Sequence, residues 1–547
     1  MNLGTRYRIF SLFLIIILSF LFTSEVSAQT SFNGAGDGTS WDDAGNWDAG
    51  IPTAVDHATI PDGFTVVIND ASVAHSVRID GTSTLTVQAL KTLTITSNGT
   101  EEGIDLRDTS QLINLGTIDI SVTGNEEGIR LKSPGAILDN RSIIIISSTD
   151  KDGIEIDDGT VINRAGATIT ITDTGDDNNG ILVSDTKSKF ENSGTITITI
   201  DGGDGGKGGV NVEKGGSFTN VTTASILNIT TGHNGIFLDK DNSIVTNRGT
   251  ITITTPGRRG IEMEDMSMFN NLEGGKLTIN DPAMQGINTE DSVITNFGNI
   301  TINRPNDNSE GIRLGKSGAK LDNHKTIVIT GDDGGGEGVE LDDDTTFTNH
   351  EGATLTINTT GDEGIEMDDA IFVNSGMVNV NNPGRFAIEL ENGSGEWTNT
   401  YCAILNVIGE EIKLNTNATL TNEGIIASDF GPNENDGTFT NNGVIHAPGG
   451  VFDVSPNPLE GTGVVIDGPI PATRSLCSEA CCFPDATCQD LIPADCEAAG
   501  GTPQGYGTDC VTSSCRYIPT ITHWGLMAAG VMLGLIGFLR MRRSRNG

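Results

Sequence analysis

A motif of about 25.7 residues recurs thirteen times between residues 103 and 411, and no other feature limits the fold so tightly. Its openings are Gly103, Gly128, Gly153, Gly180, Gly209, Gly235, Gly260, Gly286, Gly311, Gly338 and Gly364, with Ala387 and Glu411 in the same place in the last two copies. Each opening begins a short alternation such as Gly153-Ile154-Glu155-Ile156, in which Ile154 and Ile156 share one face and Glu155 takes the other. A second apolar position follows two residues before a recurring Asn. A Thr/Ile run such as Thr250-Ile251-Thr252-Ile253-Thr254 closes the copy with β-branched residues that suit a pleated surface. Three short strands per period and turns between them make one triangular coil. Coils stacked at about 4.8 Å per rung build a rod roughly 60 Å long over thirteen rungs.

The recurring asparagines fix the phase: Asn114, Asn140, Asn163, Asn192, Asn220, Asn247, Asn271, Asn296, Asn323, Asn349, Asn374, Asn399 and Asn422. Stacked at the rung spacing, each amide reaches the ones above and below it. Asn also tolerates a left-handed bend, so the spacing predicts that these residues form a corner. The opening glycines are expected to supply positive φ at another corner. Both series read as structural.

Over residues 58–450 this pattern resembles right-handed parallel β-helix proteins, the architecture of pectate lyases and of many bacterial surface adhesins. The resemblance is one of pattern, since no catalytic motif of those lyases is matched. It implies an all-β chain: a right-handed parallel β-helix with three strands and 25–26 residues per coil. The crossover rule for parallel strands gives the same hand.

The segments around the repeat are read in order. Residues 1–28 have the form of a signal peptide, with Arg6 and Arg8, an apolar run Ile9–Phe22 and Val26-Ser27-Ala28 before the cut. Residues 29–102 are expected to hold an N-terminal cap and the first coils. Trp41 and Trp47 would seal the first rung; the alternative role for them is stacking on carbohydrate. Residues 103–450 are the repeats, and 451–474 a C-terminal cap and linker. Residues 475–516 form a small Cys-rich module with Cys477, Cys481, Cys482, Cys488, Cys496, Cys510 and Cys515. Dense cysteine in an exported chain points to disulfides that supplement a small core. Seven is odd, so one of them, Cys477 being the first candidate, pairs with Cys402 in the solenoid or stays free. This run resembles short Cys-rich modules of bacterial surface proteins.

Residues 517–547 carry a tripartite signal: Ile518, Pro519, Thr520, Trp524 and Gly525, an apolar transmembrane helix over 524–539, and the basic tail Arg540, Arg542, Arg543 and Arg545. It resembles the C-terminal sorting signals of Gram-negative bacteria that begin Ile-Pro-Thr-Leu-x-x-Trp-Gly, with Ile521 standing where that class has Leu. The resemblance implies recognition by an exosortase-like sorting protease, membrane anchoring before processing, and delivery to the cell surface.

The charge balance narrows the partners. With 73 acidic and 32 basic residues the formal net charge is −41, which disfavours nucleic acid and favours cations or basic partners. Two and four residues after the openings, acids stack from rung to rung. The sharpest cluster is Glu340, Asp342, Glu366, Asp368, Glu389 and Glu391, a candidate Ca2+ site because calcium takes oxygen ligands in flexible geometry. Like charges opposed on neighbouring strands repel, so such a stripe needs a compensating cation or partner. The same face is where a polysaccharide lyase or hydrolase would work, through a pair of carboxylates or with Arg313 as the nearest candidate base. The ladder singles out no one pair, and no Ser/His/Asp or Cys/His set competes. The sequence is therefore read as a non-catalytic adhesin or surface-coat rod that meets a surface or matrix polysaccharide or protein, with a polysaccharide-active enzyme as the alternative.

Overall fold

A computed structural model describes residues 28–515 except 100, 125, 150, 175–177, 201–207, 304–308, 317, 332–333, 335, 392, 429–434, 448–451, 453, 455–456, 468–478, 492, 505–509, 511–514. Of the signal peptide expected over 1–28 all but Ala28 lies outside the described residues, as does the sorting signal and transmembrane helix expected over 517–547, with Ile518, Pro519, Thr520, Trp524 and Gly525. Among the described residues no helix is long and apolar enough to cross a membrane. The chain divides into two units, 1–469 and 470–547.

The first unit is a parallel β-solenoid of about fourteen turns. One turn reads Ile261–Met263, Met268–Asn271 and Lys276–Asn280, and the next Ile287–Glu290, Val293–Asn296 and Asn299–Asn303. Equivalent letters pair across rungs: Ile261 with Ile287, Phe269 with Ile294, Leu277 with Ile300. Each first, second and third strand therefore lies on its own counterpart. The inward side chains fill the core. Ile154, Ile156, Val161, Ile169 and Ile171 are all buried, and so is each residue of the second-strand apolar column. That column stacks rings where it has them, with Phe347, Phe372 and Trp397 at centroid spacings of 4.7 and 4.0 Å.

The asparagines form one unbroken hydrogen-bonded column. Asn114 Nδ2 donates to Asn140 Oδ1 at 2.8 Å, Asn192 to Asn220 at 2.8 Å, Asn220 to Asn247 at 3.0 Å, and the series runs on to Asn422, which donates to Asn441 at 2.7 Å. The second N–H of most amides reaches a backbone carbonyl of the next rung, as Asn271 reaches Asn299 O at 3.2 Å. The oxygens also accept from a backbone N–H two residues on, as in Asn247 with Gly249 at 3.0 Å. All ladder asparagines are buried.

Two conformational expectations fail. None of the ladder asparagines has positive φ; the left-handed residues after the first strands include aspartates, such as Asp108 (56°), Asp265 (53°), Asp291 (50°) and Asp369 (49°), with Lys214, Lys240 and Met266 in similar places. Asn is required for its two-sided amide, and Asp, with a short side chain that tolerates this region, makes the turn. The opening glycines do not have positive φ either. Space selects them: a Cβ at Gly260 would lie 2.5 Å from the Gly286 carbonyl oxygen and 2.5 Å from Ile279 Cγ2.

At the N-terminal end, Ala28–Ser31 pairs with Asp56–Ile60. Phe32, Trp41 and Trp47 pack edge to face over the first rung, and Trp47 Nε1 donates to Trp41 O at 2.7 Å. Trp41 is 0% and Trp47 4% exposed, so neither offers a ring to a sugar.

The second unit is held by Cys481–Cys496, Cys482–Cys515 and Cys488–Cys510, around strands Glu479–Cys482, Cys488–Leu491 and Thr502–Pro503 and the helix Pro493–Ala498. Cys402 is disulfide-bonded as well, and Cys477 lies outside the described residues. Among the described residues no cysteine is free.

Candidate functional site: the acidic face of the first strands

The alternation that sends Ile154 and Ile156 inward sends Glu155 outward, and register stacks these outward residues into a column. Two residues after the openings it reads Glu340 on Glu366 on Glu389, with Arg313 below and Lys413 above. Several members are nearly inaccessible despite facing outward: Asp105 is 3% exposed and Glu389 1%. Side chains of the same and neighbouring rungs cover them: Arg107 and Lys132 lie against Asp105, and Arg385 and Lys413 against Glu389.

Beside it runs a second acidic column, which the sequence reading missed. It is made by the residues just before the openings, where the opening N–H of one rung donates to the carbonyl of the residue before the opening of the next: Gly103 to Glu127, Gly286 to Glu310, Gly311 to Glu337, Gly338 to Glu363. Glu127 is 3% and Glu363 2% exposed. In the middle rungs polar side chains chain together along this column. Asn234 Nδ2 donates to Glu262 Oε2 at 2.5 Å, Arg259 Nε to Gln285 Oε1 at 2.7 Å, and Gln285 Nε2 to Glu310 Oε2 at 2.6 Å. The signal was available, since Glu, Asp, Asn or Gln precedes nine of the eleven opening glycines. Which way a residue at a bend points is not set by strand alternation.

The lower rungs place cations among the acids. Arg130 lies 2.9 Å from Glu155, 3.7 Å from Glu102 and 3.8 Å from Glu127; Lys132 pairs with Glu102; Lys151 lies 3.1 Å from Glu127. Burial pushes the Glu102 carboxyl up, but the hydrogen bond from Lys132 and the charges of Lys132 and Arg130 bring it below its ordinary value. Burial, with nearby Glu127 and Asp157, holds Glu155 well above the carboxylate range despite Arg130.

The upper rungs carry acids in excess. Glu310, Glu337 and Glu340 place carboxylate oxygens within 4.8 Å of one another, and Glu337, Glu363 and Glu366 do the same. Burial and the charge of Asp342, only partly offset by Arg313, push Glu340 up to about 8. Burial and the charges of Glu337, Glu391 and Glu389 push Glu366 up to about 8. Glu363 is raised by burial and by a hydrogen bond with Glu389. Charge is costly to bury without a partner, so these groups hold protons at neutral pH or take a cation.

The six acids singled out by sequence therefore divide. Glu340 and Glu366 join the two clusters, together with Glu310, Glu337 and Glu363. Asp342 turns to Arg313 at 2.7 Å, and Glu389 to Lys413 at 2.7 Å. Asp368 and Glu391 belong to neither cluster, although Glu391 adds to the field on Glu366. Arg313, the candidate base, is held by Asp342 and Glu340 and its pKa is raised, which opposes loss of its proton. In the second unit Cys482, Cys488 and Cys515 lie close together, but disulfides occupy all three sulfurs, so they are not zinc ligands.

Over residues 56–261 the chain is similar to a family model described as the BigA third pectate lyase-like domain. That span is well under half of the 547 residues and ends before the upper acid clusters. No curated protein and no solved structure matches the chain.

Proposed function

We propose that this is an exported surface protein whose solenoid serves as a stiff, non-catalytic adhesin or coat rod. It is wound right-handed, as parallel crossovers are, and is delivered to the cell surface of a Gram-negative bacterium through its C-terminal sorting signal. One observation carries the reading: the Asn column and the three stacked sheets run without a break through about fourteen turns, so the molecule is built for reach and rigidity. The similarity to the BigA third pectate lyase-like domain supports a surface β-helix. The ligand is a surface or matrix polysaccharide or protein that lies along the acidic face of the first strands. The test is incubation of the purified chain with a panel of acidic and neutral polysaccharides and with basic proteins. Retention on one of them without release of shortened product supports the rod; release of unsaturated or reducing sugar ends overturns it.

The upper clusters favour a second element of this reading, a structural Ca2+. Glu337, Glu363 and Glu366 would hold it from three side chains on two adjacent rungs, with Glu310 and Glu340 beside them. The melting temperature is expected to rise in millimolar calcium and fall in chelator, and Glu366→Gln to remove the difference. An equal midpoint in calcium and chelator rejects the site. Polysaccharide cleavage is the alternative: the pectate lyase-like similarity over residues 56–261 leaves it open, and beyond that span Glu366, pushed up to about 8, can donate a proton.

A further inference from the structure

The outward face of the third strands contrasts with the acidic face of the first strands. From Thr92–Ser97 to Ile404–Ile408 thirteen rungs stack in register without a bulge, so outward positions one, three and five form a grid of three columns. The grid is made of Thr, Ser, Asn and a few aliphatic residues, and only Asp119 and Lys276 in it are charged. In a chain of net charge −41, copies repel one another wherever acids face acids, and this face carries a single acid over thirteen rungs. Apolar groups stand out of it: Ile143 is 42% and Ile226 36% exposed.

We propose that this face is the interface for a second copy of the chain, packed face to face with antiparallel axes. The two charges select the direction. A two-fold axis running along the Thr195–Ile200 strand brings each rung onto another in reverse order. The rung of Asp119 then meets the rung of Lys276 in the partner, twice over, with the residues one pleat apart. The parallel alternative sets Asp119 against Asp119. Among the described residues neither Asp119 nor Lys276 has an ion pair within its own chain. Nine rungs at about 4.8 Å and five residues of strand at about 3.3 Å give roughly 700 Å2 per copy, close to the ~800 Å2 a side of a standard interface.

Sedimentation of the full chain in detergent at rising concentration tests this. A dimer that strengthens with salt is expected, since screening weakens the repulsion elsewhere. Thr197→Glu sets two carboxylates against each other on the axis and is expected to weaken the dimer roughly tenfold or more, with the circular dichroism unchanged. Asp119→Lys is expected to weaken it, and Asp119→Lys with Lys276→Asp to restore it. A monomer at all concentrations, a dimer indifferent to Thr197→Glu, or capture of a neutral glycan by this face in place of a second copy overturns the proposal.

Discussion

The asparagine column and the acidic columns are the same device with different chemistry. Each sets one residue per rung over its counterpart at strand spacing. An amide carries both donors and acceptors, so Asn247 gives to Asn271 at 2.9 Å while accepting from Asn220 at 3.0 Å, and the column closes on itself. A carboxylate only accepts. Glu340, Glu366 and Glu389 in the same arrangement cannot satisfy one another, and each must find a cation, a proton or water. Arg313 and Lys413 bracket the series, and between them Glu340 and Glu366 are pushed up to about 8. Repetition stabilises a self-complementary side chain and accumulates strain from one that is not.

The largest effect is expected from breaking the closed column. Asn271→Ala removes the acceptor of Asn247 and the donor to Asn296, leaves buried polar atoms on both sides, and is expected to cost about 3–6 kcal/mol, read as a lower urea midpoint. Asn271→Asp keeps the shape but removes the donors, and is expected to cost less at pH 4 than at pH 8.

A second, smaller effect is pH dependence from the open column. Glu340 and Glu366 have folded pKa values near 8, above the ordinary 4.5, so the folded state holds protons that the unfolded chain gives up. That contribution is complete below about pH 4.5 and is lost as pH rises through 8. Melting temperature, measured without divalent ions, is expected to fall between pH 5 and pH 9, and Glu366→Gln to flatten the slope. A flat profile in the parent chain would contradict the raised values.

The smallest effect is expected at Arg385, half exposed and 2.9 Å from Glu363. Arg385→Ala is expected to change stability by about 1 kcal/mol or less, because water screens the half-exposed guanidinium and Glu363, raised by burial, can keep its proton. A loss several times larger would mean that the acids are compensated chiefly by arginine.

Much of this was legible in the chain. The spacing of Gly103, Gly128 and Gly153 gave the period, the Thr/Ile runs gave the third strand, and the common phase of Asn192, Asn220 and Asn247 gave the register. The amide column formed as expected, but the left-handed φ assigned to the asparagines and to the opening glycines was wrong, because sequence gives a residue's position but not its φ or the room around it. The opening glycines answer to a neighbouring carbonyl, and the left-handed turns fall to aspartates such as Asp265. Glu337 and Glu363 escaped notice because they sit at a bend, ahead of the strand whose alternation sorts inside from outside.

By itself the sequence determined what stacks on what, since a period that places like side chains at one spacing leaves a single way to bury the aliphatic ones. Only the tertiary structure decided which acids share a site. That depends on which carboxylates neighbouring rungs bring together and cut off from water, and distance and desolvation between separate rungs are written in no local stretch of chain.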